Sequence, residues 1–595
     1  MISLLNRLRT KFLSPDSQME LWMRTLYHKL NSTRLIFHLQ HWLAKRSYQR
    51  WRTHQQKQPL QDISKYSHQP KISFILSCSR GRIKDAIVTL ESIHNFQGNH
   101  WEVILLSPSG DEAINLPPMF MQDTRIKLTT PDQENLLNII TGEYVIFCEA
   151  GDLFFETLLT YFYQSLTPGL PADLTYYDCE YQDECSAGIT PLFKPTTISP
   201  ELLLSVNYLS RGIVKCDVLR KIIDKIDPTM DLLNQEYDLT LRLCEAESVF
   251  RHIPEVLVMQ LSLVKPDIPE IRKIIMEHLS QRGLEKVSFV EKPHGTRFTW
   301  KTGNPSVAII IPSKNNHPQM ETLLRSLLEK PSEPNFTIQI IDNGSDDENT
   351  LAYYKSISLE PRISIIPYNK PFNYSEAINL GVEETDSDLV LLMNDDMKVM
   401  DPDWLDELTQ WAQRPEVGVV GAKLLRANRT IQHAGIIMGL NGFMGHIYLN
   451  APEHYIGLFG SVDWYRTYLA VTGACQMVRR EVFNEVGGYD EGYQLAFGDI
   501  DFCLRVHEKG YQNVYTPFAR LFHFEGSSRG YQTPVGDVLR GFDKMRKYLL
   551  EDDPYFSPNL SYTRIPKFVD HDQNDRLKQV NARKQFYESA KKSSH

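Results

Sequence analysis

The order strand, helix, strand that opens at Ile72 returns after Pro305, and this internal repeat restricts the chain to architectures made from two copies of one α/β unit. In the first copy Ile72–Ser77 reads as a strand, residues 83–95 as a helix, Trp101–Leu106 as a strand and residues 144–148 as another. In the second, Val307–Ser313 repeats the first strand, residues 322–328 the helix, and residues 337–345 the next strand with its turn. Short apolar strands alternating with helical segments predict parallel sheets with crossover helices. Later in each copy, Glu236-Tyr-Asp-Leu-Thr-Leu-Arg242 has a counterpart in Asp499-Ile-Asp-Phe-Cys-Leu-Arg505.

A chain of 595 residues with 42% apolar content can bury more than one core, and the length suggests about three to four domains. The expected division is a basic amphipathic segment and linker at 1–68, a first α/β domain at 69–262, a connector at 263–304, a second α/β domain at 305–553 and a polar tail at 554–595. Net charge is −10, yet residues 1–60 hold eleven Lys/Arg against Asp16 and Glu20, a local balance of +9. Trp22, Leu26, Leu30, Ile36, Leu39 and Leu43 recur near helical spacing between those basic residues. Such a helix suits an anionic membrane surface, or it packs its Trp and Leu on the body of the protein. No recognised nucleic-acid motif accompanies the charge, so nucleic acid is not the expected partner. No apolar run reaches the ~18 residues that cross a bilayer, and the start lacks a secretory core, so a cytoplasmic location is expected, peripheral at the inner face of the cell membrane. Eight scattered cysteines indicate neither a zinc cluster nor a disulfide framework.

Chemistry concentrates at strand ends in the second copy. The apolar run Leu389–Met393 reads as a strand buried on both faces, and it stops at two adjacent carboxylates, Asp395 and Asp396. Ligands in open α/β sheets bind beyond such strand ends, and two oxygen anions there suit Mg²⁺ or Mn²⁺ with diphosphate and water completing the shell. The plainer reading is that Asn394-Asp-Asp forms a turn after a core strand. Asp342 closes a strand before a glycine turn, where a carboxylate can accept an N–H from a uracil or thymine ring, and Asp342-Asn-Gly is equally natural as turn chemistry alone. Asp499 and Asp501 fall in the first turn of a predicted helix, where the helix dipole favours negative charge. Gly439–Gly445 lacks dinucleotide-fingerprint spacing and is expected to be a flexible loop near an acceptor cleft. Trp404, Trp464 and Tyr465 are residue types that stack on sugar faces and also fill cores.

The second copy resembles family-2 glycosyltransferases with the nucleotide-sugar-binding GT-A fold, particularly the tandem kind of bacterial O-antigen and rhamnan assembly. The resemblance rests on Ile309-Ile-Ile-Pro312, Ile341-Asp-Asn-Gly-Ser345, Pro371-Phe-Asn-Tyr-Ser375, Met393-Asn-Asp-Asp396 and Asp401-Pro-Asp-Trp404. It continues through Val417–Lys423, Gln432-His-Ala-Gly435, Gly487-Gly-Tyr-Asp490, Phe497–Arg505 and His523–Gly530, in the family's order. It implies two tandem GT-A, Rossmann-like domains behind a helical N-terminal segment. It also implies Asp396 and His523 as metal-contacting residues, Pro312, Asp342, Asp395 and Arg529 on the nucleotide sugar, and Asp499 as general base. Gly498 departs from the acidic residue usual before that base. The first copy resembles the family at Phe193-Lys-Pro195, Asn207-Tyr208 and His252-Ile-Pro254, but Ser107 stands where the second copy has Asp342, and Cys148-Glu-Ala-Gly-Asp152 replaces the aspartate-rich motif. Glu149, Asp152, Glu236 and Asp238 are the residues of a second site, in a domain expected to be degenerate.

The function so implied is inverting, metal-dependent transfer of a sugar from a UDP- or dTDP-sugar to a glycan acceptor, lipid-linked at a membrane face. The rival readings are a bifunctional two-site polymerase, a nucleotidyltransferase releasing pyrophosphate, and a non-catalytic glycan- or nucleotide-binding scaffold.

Overall fold

The computed structural model describes residues 34–55, 62–79, 81–107, 116–129, 133–166, 171–182, 188–329, 335–524, 533–569 and 576–593. Helix α1 (Arg34–Gln55) precedes a first sheet built from β1 (Ile72–Ser77), β2 (Trp101–Leu106), β3 (Ile126–Thr129), β4 (Tyr144–Glu149), β5 (Leu153–Phe154), β6 (Leu174–Gln182), β7 (Ile189–Leu192), β8 (Ile213–Lys215) and β9 (Phe250–Gln260). Helix α2 (Leu232–Glu245) packs beside it, and helix α3 (Pro269–Gln281) with the hairpin β10 (Ser288–Lys292) and β11 (Gly295–Thr299) forms the connector. The second sheet contains β12 (Val307–Ser313), β13 (Phe336–Asp342), β14 (Ile363–Pro367), β15 (Leu389–Met393), β16 (Met397–Val399), β17 (Val417–Leu425), β18 (Cys475–Arg479) and β19 (Gln512–His523). Helices α4 (Gly498–Glu508) and α5 (Arg576–Ser593) complete the elements used below.

The repeat in the sequence is a repeat in topology. The strand order is β3-β2-β1-β4-β8-β6-β9-β5 in the first sheet and β14-β13-β12-β15-β18-β17-β19-β16 in the second, which is the same path twice. Pairing directions agree as well: β1/β4 and β12/β15 are parallel, β4/β8 and β15/β18 antiparallel, β6/β9 and β17/β19 parallel, and β5/β9 and β16/β19 antiparallel. Both sheets are therefore mixed, not parallel throughout as the alternation predicts. Chain segments without a crossover helix lead into β8 and β18, so these strands enter in the opposite direction. Every residue of β12 and β15 is buried, which is why those strands read as unbroken apolar runs.

The two sheets are joined by specific bonds. Thr467 N donates to Ser199 Oγ at 2.9 Å, Tyr465 N to Ser205 Oγ at 3.0 Å, and Phe193 N to the Leu458 carbonyl at 3.0 Å. Helix α1 lies across this junction, with Phe37 edge-on to Tyr455 and Tyr48 edge-on to Phe193. Of the residues in the two readings of the basic segment, Trp22, Leu26 and Leu30 lie outside the described residues, and within α1 it is Phe37, Ala44 and Tyr48 that pack on the body. The other face of α1 leaves Leu39, Trp42 and Leu43 exposed. Among the described residues no helix is long and apolar enough to cross a membrane.

Two expectations are overturned here. The expected polar tail is not one over the described residues 554–569 and 576–593: Phe556, Leu560, Tyr562 and Ile565 are buried, and α5 buries Val580, Phe586 and Tyr587. Their apolar residues follow an irregular path, so no period announces them. Gly439–Gly445 is not a flexible loop either, because it lies within a hairpin of residues 436–446 and under α5. Arg583 donates to the Asn441 carbonyl at 3.0 Å, and a Cβ at Gly442 would meet the Gln579 carbonyl oxygen at 2.6 Å.

Candidate active site

Strand β15 delivers Asn394, Asp395 and Asp396 to its carboxyl end, where the antiparallel pair β16/β19 brings His523 alongside. Asp396 Oδ1 lies 3.2 Å from His523 Nε2, and both side chains are almost wholly buried. Asn394 Nδ2 lies 3.4 Å from the same imidazole nitrogen, and the Phe524 N–H donates to the Asp396 carbonyl at 2.9 Å. Buried His523 Nδ1 has no hydrogen-bond partner among the described residues. A carboxylate and an imidazole converging in a buried recess form a donor set that fits a divalent cation of the Mn²⁺ type. Asp395 turns the other way and accepts from Ser313 Oγ at 2.7 Å, which ties the end of β15 to the end of β12.

Asp342 ends β13 next to that junction, since Ser313 is its register partner. Its carboxylate accepts from the Ser345 N–H at 3.1 Å and from the Ser345 hydroxyl, so the turn reading is realised and the carboxylate stays half-buried at the cleft. Tyr354 lies within the field of both Asp342 and Asp395, and burial together with the Asp342 charge pushes its hydroxyl up to about 12. Pro312 is buried in β12, one residue before Ser313.

Asp499 stands in the first turn of α4 and reaches the same place from the opposite side. Its Oδ2 accepts from the Gly473 N–H at 2.7 Å and its Oδ1 from the Ile500 N–H at 2.9 Å. Burial raises its affinity for a proton above that of an ordinary carboxylate, against the lowering effect of those two N–H groups. Tyr374 closes the circuit: its hydroxyl donates to Asn394 Oδ1 at 3.1 Å and lies 3.4 Å from the Gly473 carbonyl. Gly473 is required there, because a Cβ would sit 2.8 Å from Asp499 Cβ. The departure at Gly498 has a similar local cause, since a Cβ would meet Ser375 Oγ at 2.8 Å. Asp501 is committed elsewhere. It pairs with Arg505 at 2.8 Å, and Arg505 in turn holds the carbonyls of Val486 and Gly488.

Five of the residues singled out in the sequence of the second copy thus gather at one cleft: Asp342, Asp395, Asp396, Asp499 and His523. Arg529 lies outside the described residues. Ser313, Tyr374 and Gly473 are additions. Tyr374 and Ser313 sit in or beside recognisable motifs, whereas Gly473 carries no signal of its own. Trp404, Trp464 and Tyr465 are buried in the core.

The corresponding place in the first sheet is filled from within. The Arg211 guanidinium, wholly buried, contacts Asp152 Oδ2 at 2.5 Å and Glu236 Oε2 at 3.1 Å, with Glu149 Oε2 at 3.9 Å. The Arg211 N–H donates to Glu236 Oε1 at 2.5 Å, as the Gly473 N–H does to Asp499 in the second sheet. Glu149 is also paired with Arg82 at 3.2 Å, and Asp238 with Arg242 at 2.9 Å. Gly151 has φ +106° and a Cβ there would meet Leu261 Cδ1 at 2.6 Å, so a larger side chain at this position would be strained and crowded. All four acidic residues expected to form a second site are therefore paired with arginines of the same copy, Arg211 in the turn before β8, Arg82 at a helix start and Arg242 in α2.

Comparison with known proteins gives matches over both the second sheet and the longer chain. Residues 308–487 match the family described as glycosyl transferase family 2. The O-antigen biosynthesis protein RfbC of Myxococcus xanthus is 31% identical over an alignment of 537 residues that covers 84% of this chain and 41% of that protein. The protein y4gI of Sinorhizobium fredii is 32% identical over 510 residues, 80% of this chain and 56% of that one. The N-acetylglucosaminyl-diphospho-decaprenol L-rhamnosyltransferase of Mycobacterium tuberculosis is 26% identical over 238 residues, 36% of this chain and 74% of that enzyme. The chain thus spans about half the length of the two relatives that it matches over most of its own.

Proposed function

Since residues 308–487 match the family described as glycosyl transferase family 2, we propose that this chain transfers a sugar from a nucleoside-diphosphate donor to a glycan acceptor with inversion, in surface-polysaccharide assembly. The observation that carries this reading is the convergence of Asp396 and His523 with Asp499 around the Tyr374–Gly473 bridge. Asp396 and His523 would hold Mg²⁺ or Mn²⁺, which supplies charge neutralisation for the departing diphosphate. Asp499, its proton affinity raised by burial, takes the proton from an acceptor hydroxyl, and a single displacement at C1 inverts the anomeric centre. Asp342, half-buried at the end of β13, would accept an N–H of a uracil or thymine ring. The O-antigen and rhamnosyltransferase names of the relatives support a deoxyhexose donor and a lipid-linked acceptor. Peripheral attachment at the inner membrane face draws support from the exposed apolar residues of α1 beside its basic ones.

The first sheet is read as non-catalytic, and what supports this is the buried Arg211, which places a fixed positive charge among the carboxylates that would otherwise hold a metal. The test is a panel of UDP-, dTDP- and GDP-sugars incubated with Mn²⁺ or Mg²⁺ and an acceptor glycan, read by release of nucleoside diphosphate and by the anomeric configuration of the product. Release of pyrophosphate, a retained anomer, or unchanged turnover in excess EDTA would each overturn the reading.

A further inference from the structure

Away from Asp396 and Asp499, a cavity of about 470 Å³ opens where the connector hairpin meets both sheets. Tyr181 and Ser205 line it from the first sheet, His294 from the turn between β10 and β11, and His454, Asp463 and Trp464 from the second. At this cavity the rings of His294 and His454 stack with centroids 3.6 Å apart and planes at 23°. His454 Nδ1 lies 3.0 Å from Asp463 Oδ2, and one ligand atom from each of His294, His454 and Asp463 falls within 4.8 Å of the others. The second carboxylate oxygen of Asp463 is fixed by the buried Lys423 ammonium at 2.6 Å, and Glu453 Oε1 lies 3.7 Å from His454 Nε2.

These are the parts of a metal centre. Two imidazoles and a carboxylate are the donor set that suits Zn²⁺ among abundant divalent ions, whereas all-oxygen sets suit Mg²⁺. Three protein ligands with an open side leave the fourth position of a tetrahedron to water, and here the open side faces the cavity. The Lys423 bond supplies the outer support that orients a ligating carboxylate, while Glu453, beside His454, is itself held by Arg520 at 2.9 Å and Arg429 at 2.5 Å. We propose that His294, His454 and Asp463 bind a zinc-type divalent cation. Bound there, the cation fastens the β10–β11 turn to the second sheet and closes a chain loop of about 160 residues, so it stabilises the junction of the two sheets. The site is separate from the Mn²⁺- or Mg²⁺-type recess at Asp396.

The full-length protein, stripped with chelator, is titrated with Co²⁺ alone. A visible absorption band of tetrahedral cobalt is expected, displaced by one equivalent of Zn²⁺, with Zn²⁺ raising the thermal midpoint. His294 is exposed, so His294→Gln should fold normally, and with His454→Gln it should weaken Co²⁺ binding by about 100-fold or more. Mn²⁺-dependent donor turnover should persist in both variants. The proposal fails if the wild type gives neither band nor thermal shift, or if His294→Gln, folded by circular dichroism, keeps both.

Discussion

On the proposed reading, single side chains at the end of β15 and in α4 carry separable tasks. Asp396→Ala removes a hard-cation ligand and should abolish turnover while weakening donor binding, because the diphosphate charge is then uncompensated. Isothermal titration with a nucleoside diphosphate and Mn²⁺ checks the binding half of that expectation. Asp499→Asn keeps shape and loses basicity, so kcat should fall by about 10²- to 10⁴-fold with nucleotide affinity nearly unchanged. Because burial raises the Asp499 proton affinity, kcat in the wild type should rise with pH through a midpoint above the ordinary carboxylate range, as the base must be deprotonated to act. A kcat profile flat from pH 4 to pH 8 would rule out that role. Asp396 and Asp499 are legible in sequence because a carboxylate at a strand end or in a helix's first turn follows a local pattern. Gly473 and Arg211 are not, since each matters through a contact with a residue 25 or more positions away.

Elements differ in how openly the sequence shows them. The central strands announce themselves as apolar runs because both faces are buried, and β1, β2, β12 and β15 fall where expected. The antiparallel half of each sheet is hidden, because strand direction depends on how the chain returns and not on strand composition. Helix α1 shows a basic amphipathic pattern, but which face would be covered was set by aromatic partners far along the chain, Tyr455 and Phe568. Its outer residues Leu39, Trp42 and Leu43 give the third prediction. Trp42→Asp with Leu43→Asp should abolish sedimentation with vesicles containing anionic lipid, while changing stability by only about 0.5 kcal/mol per site. Equal binding of this variant and wild type would remove the membrane role from α1.

For the molecule as a whole, the topology is duplicated, while the proposed chemistry belongs to the second copy alone. Arg211→Ala should lower stability by about 3–5 kcal/mol, read as a drop in the urea midpoint, because it strands Asp152 and Glu236 in a buried site without their cation. Glu236→Gln is for the same reason not a neutral probe of catalysis in the first sheet. The bonds between the sheets add a further consequence. Ser199 and Ser205 of the first copy accept main-chain N–H groups of Thr467 and Tyr465, in the segment that leads on to Gly473. Gene fission at the connector would expose those amides and loosen the approach to the cleft, even though no reacting group is deleted. Lineages carrying this chain are therefore expected to vary the first copy freely along its far edge at β2 and β3, yet keep the two halves on one polypeptide.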